Sequence, residues 1–167
     1  MLFRQHGRSL TVHTPAKLNL FLEVLGQRSD GFHELETLMM SVRLYDTLCF
    51  TEDASGKICL DGMAVDPHVG GDESFDVLSL GKDNLIIRAA ELLQSYAGIE
   101  SGVRIRLYKR IPIAAGLAGG SSNAAATLAA LNRIWELNLP VWELQKLASQ
   151  LGSDVGFFLE HSSTAVC

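Results

Sequence analysis

The sequence predicts an α+β fold, with helices packed on a mostly antiparallel sheet. Three observations carry that expectation. Apolar and polar residues alternate over several short runs, apolar residues elsewhere recur at three- and four-residue spacing, and the order along the chain is strands, helix, strand, helices. With 167 residues, 47% of them hydrophobic and 20% charged, the chain suits one domain spanning 1–167 with a real core.

Residues 9–24 read as a strand interrupted at Thr14-Pro15, because proline favours an extended or bent backbone in the residue before it. In the run Lys17-Leu18-Asn19-Leu20-Phe21-Leu22 the three leucines share one face, and Lys17, Asn19 and Phe21 share the other. A lone lysine on a strand ordinarily belongs to a solvated face; here it points the same way as an asparagine two residues on.

Residues 26–34 form a polar loop with an Asp30-Gly31 turn signal, followed by Phe32 and His33. An aromatic ring beside an imidazole can stack on a flat heterocycle and hydrogen-bond its edge. The alternative is ordinary packing for Phe32 and a turn position for His33. The other histidines, His6, His13, His68 and His161, are scattered, so no metal cluster is expected.

Residues 36–51 read as two strands around Tyr45-Asp46, and residues 57–60 as another. Residues 61–81, rich in Asp and Gly, are expected to be a mobile excursion on a hairpin. Asn84 can cap a helix whose Leu85, Ala89, Leu92, Leu93 and Tyr96 lie on one side, with Gly98 as its stop.

The alternating run 103–107 leads to Pro112, then to Gly116, Gly119 and Gly120, then to helical spacing at Ala124, Leu128, Leu131 and Trp135. A loop without Cβ atoms can bring backbone N–H groups close to an anion, and the following helix adds free amides and a favourable dipole. The glycines fit neither G-x-G-x-x-G nor the Walker pattern. A second reading is open: glycines that only let a helix pack closely on a sheet, with Ser121 or Ser122 as the N-cap. Leu144, Leu147, Ala148 and Leu151 mark a last helix, ended by Gly152, and Asp154 follows as either a turn former or a site residue.

A net charge of -5 argues against a surface that coats nucleic acid, so any phosphate site is local. Cys49, Cys59 and Cys167 are odd in number and lack metal-type spacing, which fits a reducing compartment. The first ten residues lack a signal peptide's apolar stretch, so a cytoplasmic location is the expectation, and no run suits a membrane span.

Taken together, PAKLNLFLEVLGQRSDGFHEL, DNLIIRAAELL, KRIPIAAGLAGGSSNAAATLAALN and LGSDVGFF resemble the GHMP kinases, from about residue 14 onward. Within that family the first segment is similar to members whose substrate carries a cytidine diphosphate group. The resemblance implies the family's N-terminal domain, of the ribosomal protein S5 domain 2-like type, and ATP-dependent phosphorylation of a small-molecule hydroxyl in isoprenoid precursor synthesis. It implies Lys17 and Asp154 as catalytic residues, and Asn19, Phe32 and His33 as substrate-binding. It further implies ATP binding by Asn84, Lys109, Pro112, Gly116, Leu117, Ala118, Gly119, Gly120, Ser121 and Ser122, with Mg²⁺ between the phosphates. In such chemistry the protein mainly aligns groups and offsets charge. Two positions depart from the family's pattern: Gly156 stands where proline is common, and Pro140 where many members have a capping serine. Family members continue into a second domain that closes the cleft. By that resemblance the chain is a fragment holding the first domain, inactive or nearly so alone, with an apolar face left exposed.

Overall fold

The computed structural model describes residues 1–27, 33–64, 79–160 and 164–166. Among these the order is β1 (Leu2–His6), β2 (Ser9–Gln27), β3 (His33–Asp53), β4 (Ile58–Ala64), α1 (Leu85–Ala97), β5 (Gly102–Lys109), α2 (Gly119–Ile134), α3 (Val141–Leu151), a 3-10 turn (Gly156–Leu159) and β6 (Thr164–Val166). The sheet is six-stranded in the order β1-β2-β3-β5-β4, with β6 pairing β3 at Leu38–Met40. Every pairing is antiparallel except β4 on β5. The expected α+β class and the mostly antiparallel sheet are what the structure has. No helix among the described residues is long and apolar enough to cross a membrane.

β2 and β3 form one long bent ribbon where the sequence suggested breaks. β2 runs through Thr14-Pro15 without ending, and β3 runs through Tyr45-Asp46. The irregularity the proline demands is taken up as a bulge: Pro15 faces Tyr45 but Ala16 faces Val42. Two further register shifts, at Asn19/Phe21 and Val24/Gly26, interrupt period-two alternation. Lys17, just past the shift at Pro15/Ala16, is only 5% exposed, whereas Leu18, Leu20 and Leu22 are 41%, 55% and 51% exposed. Lys17 is thus covered, while Asn19 and Phe21, which share its face by strict alternation, are exposed.

β1 went unread in the sequence. Residues 61–64 belong to β4, which pairs parallel with β5 and so is no part of a hairpin; residues 65–78 lie outside the described residues. The core sits between the sheet and the helices: Leu10, Val12, Leu48, Phe50, Ile105 and Leu107 meet Ile86, Leu93, Leu128 and Leu131. Burial of these side chains is worth about 1.5–3 kcal/mol each.

Asn84 caps α1, its side chain accepting from Ile86 N at 2.9 Å, and Gly98 ends it in the left-handed region at φ 63°. Tyr96 departs from the expected apolar side and is 52% exposed. α3 begins at Pro140, whose carbonyl accepts from Glu143 N, and ends at Gly152.

Candidate active site

The end of β5 delivers the chain into a loop that turns left-handed three times, at Ala114, Gly116 and Ala118 (φ 57°, 73° and 52°), before entering α2. The N-cap of α2 is Ala118, without a side-chain cap bond, so neither Ser121 nor Ser122 caps the helix. The reason is geometric: both serines already lie in the first turns. The amides of Gly119, Gly120 and Ser121 therefore have no intrahelical acceptor, and they open on the cleft together with the loop.

That cleft has a volume of about 470 Å³, within the range for small-molecule sites. Of the residues expected around ATP, Asn84, Lys109, Pro112 and 116–121 line it. Ser122 does not. It is fully buried, donates its hydroxyl to Pro15 O, meets Thr14 Oγ1, and gives its own amide to Ala118 O. Ser122 thus ties α2 to β2 and has no donor left for a ligand.

The glycines divide by role. A Cβ on Gly119 would stand 2.9 Å from both Ile111 Cγ2 and Lys109 Nζ, so its bareness serves close packing as well as the cradle. Gly116 has open space around it and is required by its positive φ.

Lys17 and Asp154 come from distant segments and meet at this cleft. Lys17 Nζ lies 3.2 Å from Asp154 Oδ2 and donates to Asn19 Oδ1 at 2.8 Å. Lys17 N also donates to Leu117 O at 3.1 Å, sewing the strand to the loop. Asp154 is one of the cleft's lining residues and its side chain is 33% exposed. It sits between the end of α3 and the 3-10 turn, a link anchored by fully buried Val155. Gln145 Nε2 donates to Gly156 O at 3.0 Å, and a Cβ on residue 156 would stand 2.5 Å from Gln145 Oε1. Glycine here lets α3 grip the turn that follows Asp154, a fixing device other than the family's proline.

Lys109, expected among the ATP-binding residues, lines the cleft but has its ammonium engaged within the protein. It is 5% exposed and pairs with Asp46 Oδ2 at 2.6 Å while donating to Ile111 O. Burial pushes its ammonium below the usual lysine range, with the Asp46 carboxylate pulling the other way. Asp46, fully buried, also accepts from Arg110 N at 2.7 Å, Ile111 N at 2.8 Å and Asn123 Nδ2 at 3.0 Å. Asp46 and Asn123 escaped the sequence reading. The available signal was parity: Leu44, Asp46, Leu48 and Phe50 share one face of a strand.

Phe32 lies outside the described residues. His33 opens β3, paired with Gln27, and its side chain lies outside them as well.

A sheet-backed anion cradle with a lysine-carboxylate pair at its rim defines a class, and the comparisons agree on it. The family model described as GHMP kinases N terminal domain matches residues 84–161. More particularly, the chain is 48% identical over 92% of its length to a 4-diphosphocytidyl-2-C-methyl-D-erythritol kinase of Prochlorococcus marinus (strain MIT 9215), covering 46% of that protein. It is also similar to the crystal structure of a 4-(cytidine 5'-diphospho)-2C-methyl-D-erythritol kinase, with a TM-score of 0.71 and 40% identity over 89% of this chain and 48% of that one. The homoserine kinase from Cytophaga hutchinsonii shares the fold, with a TM-score of 0.61 at 17% identity over 95% of this chain and 44% of that one. The chain thus spans about half the length of the relatives it matches.

Proposed function

We propose that this chain is the N-terminal, ATP-binding domain of a protein that phosphorylates the 2-hydroxyl of 4-diphosphocytidyl-2-C-methyl-D-erythritol in the non-mevalonate route to isoprenoid precursors. The observation that carries the reading is the 3.2 Å approach of Lys17 to Asp154 beside the amides of 116–121.

In this reading the cradle amides hold the ATP phosphates through main-chain donors, which the loop presents without a lysine of its own. Asp154 accepts the proton of the reacting hydroxyl as that oxygen attacks, and Lys17 orients Asp154 and offsets charge between the reactants. Asn19, sharing Lys17's ammonium, contacts the substrate, while Phe32 and His33 hold its cytosine. Asp154 and Ser121 are oxygen donors at the cleft, which fits Mg²⁺ carried mainly by phosphates with one or two protein oxygens. That ion would neutralise charge on the transferring group. The remaining half of the whole protein closes the cleft, so this chain alone is inactive or nearly so, and the site of action is cytoplasmic.

The test is phosphoryl transfer from ATP by the whole protein, with competitors. Cytidine 5'-diphosphate should compete with the acceptor substrate, while homoserine and mevalonate at equal concentration should leave turnover unchanged. Competition by either of those instead would assign the chain to a different branch of the family.

A further inference from the structure

Asp46 is remote from the Lys17–Asp154 pair in the chemistry, yet it is the buried point on which the cradle hangs. Its Oδ1 accepts from Arg110 N and Ile111 N, where the loop leaves β5. Its Oδ2 accepts from Lys109 Nζ and from Asn123 Nδ2, one turn beyond the cradle's exit into α2. Asn123 Oδ1 has no hydrogen-bond partner among the described residues, so the bond to Asp46 is what fixes that amide. Lys109 in turn donates to Ile111 O, and its Nζ occupies the space beside Gly119. One carboxylate therefore spans β3, the end of β5, the loop entry and α2.

Between these anchors the loop holds three left-handed residues, and at two of them, Ala114 and Ala118, the side chain makes that conformation unfavourable unless the surroundings impose it. Four donors on one fully buried carboxylate are the surroundings that do so.

We infer that Asp46 is a positioning residue for ATP: it sets the phosphate cradle by holding Lys109, the 110–111 amides and Asn123 in one register. The inference rests on the kinase reading above. It gives the buried Lys109 a use, as a strut under Gly119 in place of a free phosphate-binding cation.

Asp46→Asn in the whole protein separates this from plain structural support. The new side chain's oxygen still accepts from the two amides, but its NH₂ faces the donors of Lys109 and Asn123. The KM for ATP should rise about tenfold or more, since misplacing a positioned group by ~1 Å costs up to ~10²-fold. The KM for the cytidyl substrate should stay within about twofold, because that subsite is built on β2 and the residues after it. An unchanged KM for ATP in a folded variant overturns the inference, and so does an equal rise in both constants. Should Asp46→Asn not fold, Asn123→Ala decides, since it keeps the Asp46–Lys109 pair. A rise of about threefold in the KM for ATP alone supports the inference, and no rise overturns it. A wild-type protein that transfers nothing from ATP would instead remove the kinase reading, and this inference with it.

Discussion

Alanine at Asp154 should lower turnover of the whole protein by about a thousandfold, the middle of the range for a general base that is taken away. Lys17→Met should lower it by about a hundredfold or more, because Asp154 would then keep its place without the ammonium now 3.2 Å from it. Affinity for ATP should change little in either variant, since the cradle donors are main-chain amides of 116–121. Both proteins should fold. The Asp154 side chain is one-third exposed, where an ion pair contributes little to stability, and Asn19 Oδ1 still accepts from Lys17 when Asp154 is gone. Steady-state rates beside calorimetric ATP titration would check this. Turnover within tenfold of wild type for Asp154→Ala would take that carboxylate out of the chemistry.

Gly119→Val is the second large effect, and it acts on stability and on ATP together. The first added carbon alone would lie 2.9 Å from Ile111 Cγ2 and from Lys109 Nζ, inside van der Waals contact. Neither neighbour gives way readily: Ile111 is 1% exposed, and Lys109 is held by Asp46 and Ile111 O. Overpacking of this kind costs about 1–3 kcal/mol. The shift also moves the first free amide of α2 out of the cradle, so ATP affinity should fall at least tenfold even where the variant is fully folded. Denaturant midpoints and ATP titration on one preparation would read both. Gly120→Ala is the control, since its Cβ would meet only Leu85 Cδ1, at 3.5 Å. Equal losses from the two substitutions would show that glycine serves loop freedom here and not close packing.

The elements with strong periodicity were legible from residues alone. Leu85, Ala89 and Leu93 with an asparagine before them and a glycine after them describe α1 as built, and 103–107 describe the core of β5. What the period-two rule could not supply was the state of β2 and β3. Their bulges break the alternation, and Lys17 is covered while the leucines beside it are open. Asp46 was hidden for a related reason. An aspartate after a tyrosine reads as a turn, because local sequence contains no trace of the four donors that two distant segments, 109–111 and Asn123, bring to it. The lysine-carboxylate pair was visible only through family resemblance, as Lys17 and Asp154 are joined by tertiary structure alone. Ser122 shows the converse: its place in a glycine-serine loop suggested a ligand contact, and the fold spent its hydroxyl on Pro15.

The parallel docking of β4 on β5 has a consequence for how the molecule assembles. β1, β2 and β3 follow one another and can zip as successive hairpins while the chain is being made. β4 emerges next, but its one partner among the described residues is β5, beyond α1. Until Gly102–Lys109 slots in beside β3, β4 waits with both edges unpaired, the condition in which nascent chains are most open to sticking to one another. The strand that carries the polypeptide to the phosphate loop is therefore also the one that joins β4 to the rest of the sheet, and the cradle waits on that pairing.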